Sequence, residues 1–544
     1  MDLARPAPRF ASVRHRSRDG EGEGMLHSTT SSRVAAGLAA LSLVSAACGG
    51  GGAQPTAAPT SAPAATTAPK PTTPPAAAAS PAPAASPAAA AASPVAAASP
   101  AAVAKPAASP ATAPAASPVT AAASPVAARP LGTPAAGLQR IGGTVSVLGT
   151  WGGSEQDSFM AMVKPFMDAT GVNVQYEGTR DLNAVLTTRV QGGNPPDLAG
   201  LPGPGQMTEL AQAGKLVDLG PVLNQGDMRQ QYLEDWLKIG TVNGKLVGVF
   251  IKAALKGPIW YNPKTFSQVS GGAAPPRTWD ELLALSDRIA QSGTTPWCIG
   301  LESGAASGWP GTDWLEDIVL RQSGPDVYDK WWGGTQKWSS PEIKSAWQAW
   351  GRIVGNERMV FGGRQAMLAT AFGDAGNPMF TSPPRCYLHH QGSFITDFFT
   401  KANPNLKPVE DFNFFPFPDI NPQYSGAEEV AGDLFGMFKD TPQARALMQY
   451  LTTPEAQAIW VKRGGALSAN RLVPLDTYPD PLSRQQAQAL NTARIARFDA
   501  SDLMPEAMNN AFWKAILDFV QNPGNLDSVL ADLDKVQTDA YKAR

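Results

Sequence analysis

The stretch GTVSVLGTWGGSEQDSFMAMVKPFMDATGVNVQYEG, residues 143–178, decides the fold. It begins with an alternating apolar run that is typical of a strand, and an apolar side chain then recurs at helical spacing from Phe159 to Phe166. Gly171 ends this helix, and VNVQYEG at residues 172–178 predicts a second strand. A strand–helix–strand unit of this length predicts a parallel sheet with a right-handed crossover.

The same alternation continues through the remaining sequence, over about 400 residues from residue 139. LNAVLTTRVQGG predicts a helix, DLAGLP a third short strand, and TWDELLALSDRIAQSG a helix that begins with a capping box of Thr278 and Glu281. Further helices are predicted at TPQARALMQYLTTPEAQAIWVKRG and AFWKAILDFVQ. The pattern therefore predicts an α/β protein with parallel sheets, large enough for two lobes.

Residues 1–47 are predicted to be an N-terminal extension and a signal peptide. Residues 34–47 form an apolar run, preceded by Arg33, that is too short to span a bilayer and ends at the small-residue site SAAC. The segment resembles a lipoprotein signal, which implies cleavage before Cys48 and lipidation of its thiol, although Ser45 replaces the preferred leucine. The alternative is an ordinary signal peptide with an incidental cysteine, and translation starts at Met1 or at Met25.

Residues 48–138 form a low-complexity tract that consists almost entirely of Ala, Pro, Ser and Thr. It lacks the aromatic and branched side chains that would offset the entropy of ordering, and its frequent prolines exclude a helix. We therefore predict a lipid-anchored, disordered linker that holds a globular part away from the membrane.

The overall charge gives no reason to expect a nucleic-acid partner, because 44 Lys and Arg residues balance 46 Asp and Glu residues. No membrane-spanning run follows residue 139, and neither a GxSxG motif nor a phosphate loop is present. His389 and His390 are adjacent in a predicted strand and point to opposite faces, so they cannot bind one metal together. We expect one of them to be buried and the other to approach a cleft, and we predict no metal and no cofactor.

The other two cysteines, Cys298 and Cys386, are an even pair in a chain that is predicted to be exported. A disulfide between them would contribute about 4 kcal/mol in the chain-entropy view. Two buried free thiols are the alternative.

Several segments, in this order, resemble the family 1 extracellular solute-binding proteins of ABC importers, the maltose-binding-protein-like group. They are VSVLGTWGG…F…F…TGVNVQYEG, RVQGGNPPDLAGLP, LAQAGKLVDL, GKLVGVFIKAALKGPIWYNPKTF, PPRTWDELLALSDRI and GDLFGMFKDTPQARALMQYLTTPEAQAIWVKRGGALSAN. The segments YEGTRD, PWCIGLESGAASGWPGTDW, CYLHHQGSF and FFPFP look most like the α-glucoside-binding members.

This resemblance implies a type II periplasmic-binding-protein-like fold, in which two α/β lobes joined by a hinge close on a solute. We place the N-terminal lobe at residues 139–252 and 431–473, and the C-terminal lobe at residues 253–430 and 474–544. The expected protein is a non-catalytic monomer, lipid-anchored outside the cytoplasmic membrane or periplasmic, that carries a carbohydrate to ABC permease subunits. The alternatives are a polyamine or phosphorylated polyol as the ligand, or a secreted glycoside hydrolase.

Sugars present apolar ring faces and many hydroxyls, so their sites combine flat aromatic side chains with charged hydrogen-bonding groups. The aromatic candidates are Trp151, Trp309, Trp314, Phe394 and Trp513. The polar candidates are Glu155, Glu177, Arg180, Asp181, Glu302, Asp313, Gln391 and Asp433. We expect Trp309, Asp313 and Trp314 to share a Gly/Pro-rich loop. The alternative for each aromatic ring is packing in the core, and the alternative for each charged group is a position in a solvent-exposed loop. Trp151 is either a wall of the site, which we favour, or a plug under the turn.

Overall fold

The computed structural model describes residues 130–542. The predicted signal peptide, Cys48 and residues 48–129 of the predicted linker lie outside the described residues. Within the described part, no helix is both long enough and apolar enough to cross a membrane.

Residues 130–542 form strands β1–β11, helices α1–α18 and short 3-10 turns. The strands are β1 (Thr144–Gly149), β2 (Asn173–Gly178), β3 (Leu198–Leu201), β4 (Thr241–Val242), β5 (Lys245–Leu246), β6 (Val249–Leu255), β7 (Ile259–Tyr261), β8 (Leu388–His390), β9 (Asn413–Phe415), β10 (Ala427–Met437) and β11 (Ile495–Phe498). The helices are α1 (Ser154–Thr170), α2 (Leu182–Gln191), α3 (Pro204–Gln212), α4 (Gln225–Gln231), α5 (Glu234–Ile239), α6 (Pro263–Ser270), α7 (Trp279–Gln291), α8 (Trp309–Ser323), α9 (Pro325–Trp332), α10 (Pro341–Val354), α11 (Gly363–Ala369), α12 (Ile395–Ala402), α13 (Pro442–Leu451), α14 (Pro454–Arg463), α15 (Pro481–Thr492), α16 (Ala500–Leu503), α17 (Glu506–Gln521) and α18 (Leu526–Ala540). The 3-10 turns are Asn377–Phe380, Pro422–Tyr424, Leu475–Thr477 and Pro523–Asn525.

The largest sheet is built on the strand–helix–strand unit that opens the folded part. β1 pairs in parallel with both β2 and β3, which confirms the direction predicted for these strands. β10 then runs antiparallel to β3 and β6 and parallel to β11. The turn after β1 and the segment after β2 consequently emerge at the same edge of the sheet.

A smaller sheet is antiparallel, because β7 runs antiparallel to both β8 and β9, so together with the antiparallel pairs of β10 it corrects the expectation of parallel sheets. Parallel direction follows from the sequence pattern only where a single crossover helix joins neighbouring strands. Six helices, α6–α11, separate β7 from β8 along the chain, so that rule does not apply here.

The buried side chains form two large clusters. The first surrounds the largest sheet and includes Leu148, Phe159 and Leu447, and the second surrounds α8 and α10 and includes Ile318 and Trp347. A third, smaller cluster lies around Trp260 and around Cys298 and Cys386, which the structure joins in a disulfide with a Cα–Cα distance of 5.5 Å.

The strands β6 and β10 lie where the predicted lobes meet. Their register places Ala253 opposite Gly432 and Ala254 opposite Ala431, so the boundaries predicted before residues 253 and 431 fall side by side. The division into lobes at these residues stays a prediction.

Local capping explains where several helices begin. The Thr278 hydroxyl accepts a hydrogen bond from the Glu281 amide and the Glu281 carboxylate accepts one from the Thr278 amide, as the predicted capping box requires. The single helix expected over residues 441–464 is instead two helices, because Thr453 caps a new one that starts at Pro454.

Candidate functional site

A cleft of about 440 Å³ is bordered by residues from both predicted lobes. One side is formed by the turn after β1, the segment that joins β2 to α2, and residues of β6 and β10. The other side is formed by the loop that leads into α8, by Phe372 and Phe394, and by residues 499–517. The volume lies in the range of sites for small molecules.

The turn after β1 brings Trp151 to the floor of this cleft. Gly153 has φ 57°, a left-handed conformation that favours glycine and lets α1 begin directly after the turn. The indole is only 2% exposed, and the hydroxyl of Tyr176 accepts from the Trp151 amide at 2.9 Å and donates to its carbonyl at 3.1 Å. The rings packed against it are those of Phe159, Tyr176, Phe435 and Trp460. Trp151 is therefore a core side chain with one edge on the cleft.

Glu155 is the centre of a buried ion-pair network beside this floor. Its carboxylate lies 2.6 Å from Lys252 Nζ and 3.0 Å from Arg180 Nη2, and Lys252 also lies 3.9 Å from Asp433. Burial acts to raise the pKa of Glu155, but the two cations outweigh it and hold the pKa below its usual range. The site thus presents carboxylate and cationic groups whose positions are fixed by one another.

A second network surrounds Lys256, just after β6. Its ammonium lies 3.0 Å from both Asp313 and Asp499 and 4.7 Å from the centre of the Trp309 ring. Burial acts to lower the pKa of Lys256, but these carboxylates raise it well above its usual value. Lys256 is consequently charged and holds the ring of Trp309 at the cleft wall.

Aromatic rings form the wall opposite the largest sheet. The rings of Trp309 and Phe372 lie 5.0 Å apart, those of Trp309 and Phe394 6.1 Å apart, and Trp513 borders the same space. The Arg180 guanidinium lies 4.9 Å from the centre of the Phe372 ring. Flat apolar faces and directed charges therefore meet within one cavity.

Polar contacts join the predicted lobes beside the cleft, and two of them involve residues that line or flank it. The Asp181 carboxylate accepts a hydrogen bond from the Ala305 amide at 3.1 Å. Further along, the Thr187 hydroxyl donates to the Glu506 carboxylate at 3.4 Å. These contacts hold the two sides in the arrangement that the structure shows.

Most of the residues predicted from the sequence line the cleft. They are Trp151, Glu155, Arg180, Asp181, Trp309, Phe394, Asp433 and Trp513. Their roles toward a ligand stay predictions.

The other predicted residues lie outside the lining, each for a local reason. Glu177 points away on β2 and pairs with Arg189 at 2.7 Å, and Glu302 accepts from the Gly304 amide at 2.8 Å. Gln391 is buried and its Oε1 accepts from the amide of Gly392.

Asp313 and Trp314 lie behind the wall because they are helical. The expected loop at residues 309–314 is wrong: Gly308 with φ 110° and Pro310 in the first turn begin α8 at Trp309. Helical spacing then turns Asp313 inward to Lys256 and packs Trp314 in the second core, 4.9 Å from the Trp297 ring.

The two adjacent histidines are both buried, which corrects the expectation that one approaches the cleft. His389 Nδ1 lies 2.8 Å from the Cys298 carbonyl, and His390 Nε2 lies 2.8 Å from Asp317. Burial lowers the pKa of His389 to about 4, so it is neutral at physiological pH.

The sequence prediction missed several lining residues. They include Asn183, Lys252, Lys256, Phe372, Asp499 and Asp502. A signal for Lys252 exists, since a lysine within the otherwise apolar run VFIKAAL is unusual for a buried strand. No comparable signal marks Phe372.

Comparisons with known proteins agree with this architecture. The sequence signature described as "Bacterial extracellular solute-binding protein" matches residues 152–458. The Osmoprotective compounds-binding protein GgtB of Synechocystis sp. is 41% identical over 377 residues, which cover 69% of this chain and 88% of that protein. The Alpha-glucosides-binding periplasmic protein AglE of Rhizobium meliloti is 37% identical over 402 residues, which cover 71% of this chain and 85% of that protein.

The solved structure of a chitin oligosaccharide binding protein superposes with a TM-score of 0.64 at 19% identity, covering 73% of this chain and 98% of that one. At this identity the likeness concerns the fold, and it confirms the two-lobe periplasmic-binding-protein-like architecture expected from the sequence. The relatives are named as binding proteins rather than enzymes. The chain belongs to the family of bacterial extracellular solute-binding proteins.

Proposed function

We propose that this protein captures an α-glucoside or another short oligosaccharide in the cleft and delivers it to the membrane subunits of an ABC importer. The observation that carries the proposal is the wall formed by Trp309, Phe372 and Phe394, which stands opposite the charged groups around Glu155. Aromatic rings can stack on the apolar faces of a sugar, and fixed carboxylates and cations suit its hydroxyls. The similarity to an α-glucoside-binding protein supports the same ligand class.

The charges in the cleft weigh against the other ligand classes. Lys252, Lys256 and Arg180 all border the cavity and pair with Glu155 and Asp499, so these carboxylates are not free to bind a polyamine. Each of these cations is already paired with a carboxylate, so none is left to neutralise a phosphate group. An uncharged polyol such as a saccharide fits both facts.

The proposed cellular setting rests on the export signal. Lipidation of Cys48 and the Ala/Pro-rich linker would tether the protein, as a monomer, outside the cytoplasmic membrane, where it would meet permease subunits. Both features fall outside the described residues, and mass spectrometry of the mature protein from the native membrane tests the lipidation.

The ligand proposal is tested by thermal unfolding and calorimetric titration of the mature protein with α- and β-linked glucose disaccharides, spermidine and glucose 6-phosphate. A ligand at 100 times its dissociation constant adds about 2.7 kcal/mol of stability. We expect an α-linked saccharide to raise the melting temperature and the other solutes to leave it unchanged. A shift with spermidine or the phosphate ester, and none with any saccharide, would overturn the proposal.

The substitution Trp309→Ala tests the aromatic wall. Loss of one stacking face should weaken saccharide binding by about tenfold or more. Trp332→Ala is the matched control, because Trp332 is a half-buried indole that does not line the cleft. Equal affinity of the Trp309 variant and the control would exclude the wall as the sugar-binding surface.

A further inference from the structure

Three buried carboxylates from distant parts of the sequence meet behind the cleft. Asp313 lies on α8, Glu429 on β10 and Asp499 at the start of α16, and one oxygen of each lies within 4.8 Å of the others. All three side chains are buried. No spacing motif reveals this cluster, because three separate segments contribute to it.

Two members of the cluster have partners. Lys256 Nζ lies 3.0 Å from Asp313 Oδ2 and 3.0 Å from Asp499 Oδ2. Asp499 Oδ1 also accepts from the Ser501 hydroxyl at 2.8 Å and from the Asp502 amide at 3.0 Å. One ion pair and two hydrogen bonds therefore stabilise the negative charge of Asp499.

Glu429 differs, since its side chain is 0% exposed and neither oxygen has a hydrogen-bond or ion-pair partner among residues 130–542. Its carboxylate is directed at the other two acids. A bare carboxylate at this position is unfavourable, so the position calls for a positive partner.

The charges indicate what that partner is. The three carboxylates carry three negative charges when ionised and Lys256 supplies one positive charge, so at least two negative charges remain to be balanced. The neighbouring Glu316 is already satisfied by the Ala500 and Ser501 amides, at 2.7 and 3.2 Å. A divalent cation would neutralise the cluster.

We propose that Asp313, Glu429 and Asp499 bind one divalent cation, and that calcium is preferred. All the donors are carboxylate oxygens, which favour hard cations such as calcium over zinc, whose usual ligands include histidine or cysteine. Oxygens within 4.8 Å of each other can share an ion at the 2.3–2.6 Å typical of calcium. Magnesium retains several waters and demands a regular octahedron, which a buried cluster accommodates poorly.

Such an ion ties together three elements that position the cleft wall. Asp499 and Lys256 line the cleft, Asp313 holds Lys256, and Lys256 faces the Trp309 ring. The cation therefore supports the wall from behind, through Asp499 and through the ion pair of Asp313 with Lys256.

The experiment measures metal binding to the mature protein without any saccharide. The protein is stripped with chelator and titrated with calcium chloride, and with magnesium and zinc chlorides for comparison. We expect one calcium ion per chain, and a rise in melting temperature of at least about 3 °C at 100 times the dissociation constant. Magnesium should bind more weakly.

Glu429→Gln should raise the calcium dissociation constant at least tenfold and abolish the calcium-dependent rise in melting temperature. In chelator this variant should melt at or above the wild type, because it removes an unpartnered carboxylate. Glu428→Gln is the matched control: it is the same substitution at the next position, on the opposite face of β10, where the carboxylate lies 3.6 Å from Arg321.

Two results would overturn the proposal. One is a wild-type melting temperature that responds to neither chelator nor calcium, in which case Glu429 holds a proton instead of a metal. The other is an equal loss of calcium binding in both variants, which would place the ion elsewhere. Neither result depends on whether a saccharide binds.

Discussion

At the scale of single residues, Trp151 belongs to the first core and to the cleft at once. Its ring lies 4.6 Å from that of Trp460 and 5.4 Å from that of Phe159, which places most of its surface in apolar packing. Gly178 lets β2 approach this turn, because a Cβ there would lie 2.0 Å from the Trp151 carbonyl oxygen. Between the two alternatives that the sequence leaves open, the packing favours the plug.

We expect Trp151→Ala to lower the free energy of unfolding by about 3–5 kcal/mol, because it leaves a large cavity in a packed core. Denaturant titration followed by circular dichroism measures this loss. Trp151→Phe should retain most of the stability, since the smaller ring preserves part of the packing. If Trp151→Ala kept its stability but lost saccharide affinity, the residue would be a wall of the site and not a plug.

At the scale of elements, α12 carries a partly buried acid into the contact with the turn after α14. Asp397 packs so closely on Gly465 that a Cβ there would lie 2.6 Å from its carboxyl carbon. The charged groups that face Asp397 are Glu155, Lys252, Arg463 and Lys401. Burial and then Glu155 raise the pKa of Asp397 to about 6, because the three cations only partly compensate.

This raised pKa predicts that stability falls between about pH 4 and pH 6. Protonated Asp397 contributes stability that is fully present below the ordinary value of 3.8 and is lost as the pH rises through about 6. Asp397→Asn should therefore be more stable than the wild type at pH 7, by about 1–2 kcal/mol after allowance for partial exposure, and equally stable at pH 4.

Urea titrations of both proteins at pH 4, 5, 6 and 7 measure the difference. Asp440→Asn is the control, because its exposed carboxyl has a pKa held below the usual range by Arg445 and the substitution should bring no gain at pH 7. A constant difference between wild type and Asp397→Asn across this range would show that the carboxyl does not titrate there.

The elements that the sequence predicted best are those with a complete local signal. The first strand–helix–strand unit has alternation, helical spacing and a terminating glycine, and α7 has its capping box. The antiparallel direction of β7, β8 and β9 and the start of α8 at Trp309 were not predicted in this way. Strand direction depends on contacts with segments far away in the sequence, which local patterns do not contain, whereas the start of α8 has a local signal in Pro310 that the surrounding glycines obscured.

At the scale of the whole molecule, the residues of the candidate site were also predictable only where the local sequence carries a signal. Residues at strand ends, such as Glu155 and Arg180, were predictable because strand ends at one edge of a parallel sheet share a cleft. Lys252 had a signal, as a lysine in an apolar strand, but Phe372 and the Glu429 cluster had none, since distant segments bring these residues to their positions. The positions of Asp313, Glu429 and Asp499 in the sequence do not distinguish them from acids that are exposed to solvent.

The two sides of the cleft touch directly, and we expect this contact to favour a closed form in the absence of a ligand. Asp181 accepts from the Ala305 amide, so one hydrogen bond spans from the segment before α2 to the loop before α8. A hydrogen bond of this kind contributes about 1 kcal/mol net. Its loss should shift the balance between closed and open forms toward the open form by about fivefold.

We therefore expect Asp181→Ala, measured without saccharide by small-angle X-ray scattering, to have a larger radius of gyration than the wild type. Asp181→Asn keeps a carbonyl oxygen that can accept from the same amide, so it should match the wild type. Scattering has to be compared at equal concentration and without ligand, because a saccharide would draw the two sides together and mask the difference. If both variants scattered like the wild type, the contact would accompany closure without stabilising it, and the hydrogen bond from Thr187 to Glu506 would be the next contact to test.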